Sequence, residues 1–291
     1  MIFGAIEAGG TKFVCAVSDE NLQILERSSI PTTTPEKTMT KVIEFFSKYD
    51  VDAIGIGSFG PIDVNPTSAT YGYITKTPKV AWQNYPFLAE MKKHFDVPYG
   101  WTTDVNAAAY GEIKKGVAFG SNSCIYITVG TGIGAGIVVD NQVIHGFGHP
   151  EAGHILVRRH SDDQFEGNCP FHHDCLEGMA AGPAIEKRFE KKAQELGEDH
   201  KAWELEAYYL AQALVNYTLT VSPDKIIFGG GVMKQTQLFP LIYQEFDRLM
   251  NDYVETPLLE EYIVPCQLGD NAGITGCLLL AIDALEKKLQ N

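Results

Sequence analysis

Two glycine turns, each set between β-rich runs, constrain the fold of this chain more than any other feature. Residues 2–17 read Ile-Phe-Gly-Ala-Ile-Glu7-Ala-Gly9-Gly10-Thr11-Lys12-Phe-Val-Cys-Ala-Val, and residues 124–139 read Cys-Ile-Tyr-Ile-Thr-Val-Gly130-Thr131-Gly132-Ile-Gly134-Ala-Gly136-Ile-Val-Val. In both, a β-rich run enters a Gly/Thr turn and a second β-rich run leaves it. Dinucleotide and P-loop folds also place glycines after a strand, but a helix follows theirs. Here Phe-Val-Cys-Ala-Val and Ala-Gly-Ile-Val-Val follow, and these residue types favour strands. The match of Gly130-x-Gly132-x-x-Ala135 to the dinucleotide fingerprint is therefore accidental. Either turn alone reads as a plain tight hairpin, since Gly and Thr are ordinary turn residues. Two of them, with threonines at matching places, point to two related domains whose backbone N–H groups approach an anion from both sides.

Residues 151–177 carry a second signal. Glu151-Ala-Gly-His154 precedes Cys169-Pro-Phe-His172-His173-Asp-Cys175-Leu-Glu177. Two thiols and two imidazoles are the donor set of a closed tetrahedral zinc site. The competing readings are a disulfide or two buried thiols with a solvated His-His pair. Six cysteines scattered at positions 15, 124, 169, 175, 266 and 277 do not form a disulfide framework. Cys15, Cys124, Cys266 and Cys277 sit in apolar runs and read as core.

The rest alternates strands and helices, which gives an α/β class. Residues 38–48 read as a helix, and 51–56 as a buried strand ending at Gly57-Ser58-Phe59-Gly60-Pro61. Residues 62–86, rich in Pro, Thr, Tyr and Gly, read as a long excursion over a site. A short helix over 87–95 and a strand over 97–101 lead to Thr102-Thr103-Asp104 and an Ala-rich helix from Val105 to about Lys115. Asp104 fits an N-cap and equally a general base aimed by a rigid strand end. Helices are expected over 185–196 and 203–219, then a short strand from Lys225 into Gly229-Gly230-Gly231 and a further helix, and a last helix from Asp270 to near Leu289. The triple glycine fits close packing or an exposed backbone lying against a flat ring or a phosphate. A domain boundary is expected near residues 115–122, giving domains 1–118 and 119–291, with the C-terminal helix a candidate to pack back on the first.

At 291 residues, with 45% apolar and 21% charged residues, the chain is long enough for two ordinary globular domains. No apolar run reaches membrane-spanning length, and no signal-peptide pattern opens the chain. With unpaired cysteines this predicts a cytoplasmic protein. The net charge of −14 and the lack of a basic cluster exclude a nucleic-acid footprint and disfavour an anionic membrane. A phosphorylated ligand remains compatible, because metal ions and backbone amides offset local charge.

Taken together, Glu7-Ala-Gly-Gly-Thr-Lys12, Gly57-x-x-Gly60-Pro61, Asp104-Val-Asn106-Ala-Ala-Ala-Tyr-Gly-Glu112, Gly130-Thr-Gly-Ile-Gly134, Glu151-Ala-Gly-His154 and Cys169-Pro-Phe-His172-x-x-Cys175-Leu-Glu177-Gly resemble the ROK sugar-kinase family, and within it the fructokinase branch. The resemblance spans essentially the whole chain. It implies a two-domain actin-like, ribonuclease-H-like α/β fold with a central cleft. It implies phosphoryl transfer from MgATP to a hexose, D-fructose to fructose 6-phosphate, with a mannokinase or broad-specificity hexokinase as the alternative. Asp104 would be the base; Gly9, Gly10, Thr11, Lys12, Thr131, Gly132 and Gly134 the phosphate region; Gly229, Gly230 and Gly231 the border of the adenosine. Gly60, Pro61, Thr103, Asp104, Glu151, His154 and Glu177 would hold the sugar. One structural zinc would sit on His154, Cys169, His172 and Cys175, and a homodimer is implied. Three departures stand out. Glu7 replaces a common Asp. Thr103 stands where glucose-directed members often have Asn, and His172 stands where they have Cys. The last two favour the fructokinase branch. A sugar-responsive regulator of the same fold would need a helix-turn-helix module ahead of the first strand, and a zinc hydrolase would need an open ligand position.

Overall fold

The computed structural model describes residues 1–290. It divides into two compact units: residues 1–120, 136–150 and 267–291 in the first, 121–135 and 151–266 in the second.

The first unit is built on β1 (Phe3–Ala8), β2 (Lys12–Ser18), β3 (Ile24–Pro31), β4 (Ala53–Ser58) and β5 (Tyr99–Thr103), in the order β3-β2-β1-β4-β5. β1, β2 and β3 are antiparallel, whereas β4 and β5 run parallel to β1. Helices α1 (Pro35–Phe46) and α2 (Phe87–Lys92) lie between its strands, and α3 (Asp104–Lys115) follows β5. β1, β2 and β4 are almost wholly buried, which explains their mainly apolar composition. One face packs Phe13, Phe59, Trp82, Phe87 and Trp101 into an aromatic core. The other receives the C-terminal helix, through Ile274, Cys277, Leu278 and Ala281. That helix crosses α3 so closely that a Cβ on Gly276 would stand 1.7 Å from the Ala107 carbonyl oxygen. Only glycine permits this approach.

The second unit contains β6 (Cys124–Val129), the start of β7 (Ile133–Val139), α4 (Leu176–Ala180), α5 (Gly182–Phe189), α6 (Ala202–Val221), β9 (Lys225–Gly229), α7 (Leu238–Met250), α8 (Leu259–Tyr262) and β10 (Ile263–Pro265). The short β8 (Gln142–Val143) pairs with β7, and α9 (Ala272–Gln290) closes the chain. The second sheet has the order β10-β9-β6-β7-β8.

Several expectations shift. The helix expected over 185–196 ends at Phe189, because Glu190 adopts a left-handed conformation at φ 56°. The helix expected directly after the triple glycine begins at Leu238, beyond a single 3-10 turn at Val232–Lys234. Residues 62–86 form an excursion tied by isolated bridges Ile62–Ile74 and Ile74–Tyr85, as the composition predicts. No helix among the described residues is long and apolar enough to cross a membrane.

Candidate functional site

In the first unit, three parallel strands end level with one another. Ala8 of β1 pairs with Ser58 of β4, and Ser58 pairs with Thr103 of β5. Gly9–Lys12, Phe59–Pro61 and Asp104 therefore emerge side by side along one sheet edge, within neighbouring strand spacings. The carboxyl ends of parallel strands are where open α/β sheets bind ligands.

The first turn is tightly drawn. Gly9 N donates to Lys12 O at 3.0 Å, and Thr32 Oγ1 donates to Gly9 O at 2.7 Å. The amides of Gly10 and Thr11 have no protein acceptor among the described residues. Thr75 donates to Pro61 O through its amide at 2.8 Å and its hydroxyl at 3.0 Å, which fixes the segment after Gly60.

Asp104 is not the cap of α3. Thr103 is: its side chain accepts from Asn106 N at 3.2 Å. Asp104 is the first helical residue, and its Oδ1 accepts from Val105 N at 2.9 Å. Freed from capping, its carboxylate is available for chemistry. Burial pushes its pKa up to about 6, against the backbone hydrogen bonds that favour the charged form. Glu7, on β1, is pushed up to about 7 by burial first and then by the charge of Asp104, with Arg27 and Lys12 opposing. Two carboxyls of raised affinity for protons thus share the sheet edge.

In the second unit, the two glycine turns are neighbours. Thr128 of β6 pairs with Gly229 of β9, so Gly130–Gly134 and Gly229–Gly231 leave adjacent parallel strand ends. Gly182 N, at the start of α5, donates to Gly130 O at 2.8 Å. Gly230 has φ +91° and lies directly on Val129, where a Cβ would meet the backbone at 2.4 Å. Its glycine therefore has a packing reason, and Gly231 has open space beside it.

The four candidate metal ligands converge. His154, Cys169, His172 and Cys175 offer ligand atoms all within 4.8 Å of one another. His154 Nδ1 lies 3.7 Å from Cys169 Sγ and 3.5 Å from Cys175 Sγ, and His172 Nδ1 lies 3.8 Å from Cys169 Sγ. Metal–sulfur and metal–nitrogen bonds of about 2.3 and 2.0 Å make tetrahedral edges of roughly 3.5–3.8 Å, so the cage has the size of one such ion. Burial pushes the Cys175 thiol up to about 11, so metal binding must displace its proton. His173 is not one of the four: at φ 56° it closes a small loop, exchanging backbone hydrogen bonds of 3.1 Å with Cys169.

The cage and the flanking acids are linked through one ring. His154 faces the sulfurs with Nδ1 and, with Nε2, approaches Glu177 Oε1 at 3.9 Å. Glu177 Oε2 in turn accepts from Ile133 N at 3.0 Å, just after Gly132. A Cβ on Gly132 would stand 2.6 Å from that same oxygen. The sequence predicts that Gly132 makes room for a phosphate; in the fold it makes room for Glu177. The turn carrying His154 is pinned by Tyr217, whose hydroxyl donates to Ala152 O at 2.6 Å.

The ROK family profile matches residues 3–284. The chain is similar to a fructokinase of Pediococcus pentosaceus, 53% identical over 98% of this chain and 99% of that one. It is also similar to a fructokinase of Streptococcus mutans, 46% identical over 96% and 97% of the two chains. Among solved structures, a ROK hexokinase from Thermus thermophilus superposes with a TM-score of 0.81 and 26% identity, over 99% of this chain and 100% of that one. The two-domain, actin-like α/β sugar-kinase fold expected from sequence is the one found.

Proposed function

Because this chain belongs to the ROK family, we propose that it is a fructokinase, transferring the γ-phosphoryl group of MgATP to D-fructose to give fructose 6-phosphate. The observation that carries the reading is the level alignment of the Gly10 turn, Gly60-Pro61 and Asp104 at three parallel strand ends. It is supported by the fructokinases to which the chain is similar over nearly its full length.

In this reading Asp104 accepts the proton of the sugar's primary hydroxyl as that oxygen attacks the γ-phosphorus in line. The new O–P bond forms as the bond to ADP breaks, and the proton stays on Asp104 until released to solvent. A pKa of about 6 leaves the carboxylate mostly ionised at neutral pH yet basic enough to be useful. The amides of Gly10 and Thr11 with Lys12, and Thr131, Gly132 and Gly134 of the second turn, hold phosphoryl oxygens. Gly229, Gly230 and Gly231 border the adenosine. Gly60, Pro61, Thr103, Glu151, His154 and Glu177 hold sugar hydroxyls.

The cage of His154, Cys169, His172 and Cys175 takes a structural zinc, whose chemistry is confined to ordering the loop, since protein atoms fill all four positions. Ligation through Nδ1 fixes the His154 tautomer with a proton on Nε2, aimed at Glu177 and the sugar. Homodimer assembly and a cytoplasmic location belong to the same reading, and sedimentation tests the first.

A coupled assay for ADP release across fructose, mannose and glucose decides the matter. We expect the highest kcat/KM with fructose. No ATP-dependent phosphorylation of any hexose would refute the assignment, and a preference for mannose would replace the substrate while leaving the chemistry.

A further inference from the structure

Lys79 lies across the first phosphate turn. A Cβ placed on Gly10 would stand 3.0 Å from Lys79 Cε and 4.0 Å from its Nζ. The lysine belongs to the excursion that starts at Gly60-Pro61, so one strap of chain leads from the sugar-facing segment to the turn.

The base of that strap is fixed. Lys79 O accepts from Trp82 N at 2.8 Å, and Lys79 N donates to Thr77 Oγ1 at 3.3 Å. The Trp82 indole is buried against Phe13 of β2, with ring centroids 5.2 Å apart, and donates to Thr33 O at 2.7 Å. Thr77 is buried, and its carbonyl accepts from Gln83 Nε2 at 2.9 Å. The backbone of Lys79 is therefore held to the same strand that leaves the turn. Its ammonium, at the end of a flexible stem, has no ion-pair partner among the described residues. This happens in a chain of net charge −14, where carboxylates are abundant. Two amides without protein acceptors, those of Gly10 and Thr11, lie at the same turn.

An unpaired cation beside unpaired amides is a constellation for an anion. Resting on the kinase reading above, we propose that Lys79 binds the phosphoryl group in transfer. It contacts the γ-phosphate of ATP and follows its oxygens onto the sugar, rather than holding the phosphates that remain with ADP. Two features select the transferred group. The strap comes from the sugar-facing Pro61 segment, and the turn it overhangs lies at the same sheet edge as Asp104. A cation there offsets the charge that gathers on the phosphoryl oxygens as the bond to ADP lengthens.

The test compares wild type with Lys79→Ala, Lys79→Gln and Lys79→Arg. Calorimetry measures binding of Mg-AMPPNP, a non-transferable ATP analogue, of MgADP, and of fructose alone; steady-state assays give kcat. In Lys79→Ala and Lys79→Gln we expect kcat to fall about 100- to 1,000-fold, AMPPNP binding to weaken about tenfold, and ADP and fructose binding to stay within about twofold. Lys79→Arg restores at least about tenfold of the lost kcat, because the charge is kept. Folding is not at stake, since the side chain is partly exposed and pairs with no carboxylate. A kcat within about threefold of wild type in Lys79→Ala overturns the proposal. So does equal weakening of ADP and AMPPNP, or an arginine variant no better than alanine. If wild type phosphorylates no hexose, the kinase reading fails by itself, and the AMPPNP-against-ADP comparison still decides the role of Lys79.

Discussion

Replacing Gly132 by alanine separates folding from function in this protein. The added Cβ would stand 2.6 Å from Glu177 Oε2, closer than carbon and oxygen tolerate. The obstructing atom is the tip of a flexible side chain, so the carboxylate can swing away at little cost to the fold. What it gives up is its hydrogen bond from Ile133 N at 3.0 Å and its place beside His154 Nε2 at 3.9 Å. In the proposed site the displaced carboxylate would also lose its hydrogen bond to a sugar hydroxyl; a hydrogen bond to a charged group contributes about 1.5–3 kcal/mol, which corresponds to roughly ten- to hundredfold in affinity. Gly132→Ala should therefore weaken fructose binding by about that factor even without nucleotide, while thermal stability shifts by only a few degrees. Isothermal titration with fructose reads the first and a thermal scan the second. In a Glu177→Ala background the Gly132→Ala change should cost little more, because the partner it displaces is already gone. Unchanged fructose affinity in the single variant, with impaired ATP kinetics, would show that the glycine serves the nucleotide phosphates alone.

The other expectations concern the base, the metal and the first turn. Asp104→Asn should lower kcat by about two to four decades with fructose binding retained; turnover within about tenfold of wild type would remove Asp104 from the chemistry. In wild type, kcat/KM should fall as pH drops through about 6, where Asp104 takes up its proton. The stability linkage has the opposite sense. A folded-state pKa raised above the unfolded value means the folded protein binds the extra proton, so stability from this group is present at low pH and lost as pH rises through about 6. Asp104→Asn should therefore melt at or above the wild-type temperature at pH 8, and a clearly lower melting point would contradict the burial argument. Protein purified without chelator should carry one zinc per chain; His172→Ala should lose it and His173→Ala keep it, as elemental analysis would report. Gly10→Ala should raise the KM for ATP and lower kcat, since its Cβ would press on Lys79 at 3.0 Å; normal ATP kinetics would make the turn a structural hairpin.

What could be read from sequence followed from strong local patterns. Mainly apolar runs mark β1, β4 and β6 because they are buried on both faces. Spacing and donor type marked the four-ligand cage. β3 is not legible in the sequence because Ile-Leu-Glu-Arg-Ser-Ser-Ile-Pro lies at a sheet edge with most side chains in solvent, so it shows neither alternation nor an apolar run. The end of α5 at Glu190 is not legible either, because a left-handed glutamate gives no composition signal. In the sequence Asp104 fits a helix cap and a general base at a rigid strand end equally; the fold gives the cap to Thr103. Two contacts were invisible for a simpler reason. Gly132 meets Glu177 and Gly10 meets Lys79, pairs that lie 45 and 69 positions apart in the chain, where spacing carries no information.

The first unit is assembled from three separated stretches of chain, and its last piece comes after all of the second unit. Ile274, Cys277, Leu278 and Ala281 of α9 fill the face of the sheet on which Ala5, Val14 and Ala16 lie. During synthesis, residues 1–120 emerge with that face bare, and it stays bare while more than a hundred further residues are made. The domain that begins first is thus finished last. Nascent chains halted after residue 266 should remain protease-sensitive in their N-terminal part and gain resistance only once residues 267–290 have left the ribosome.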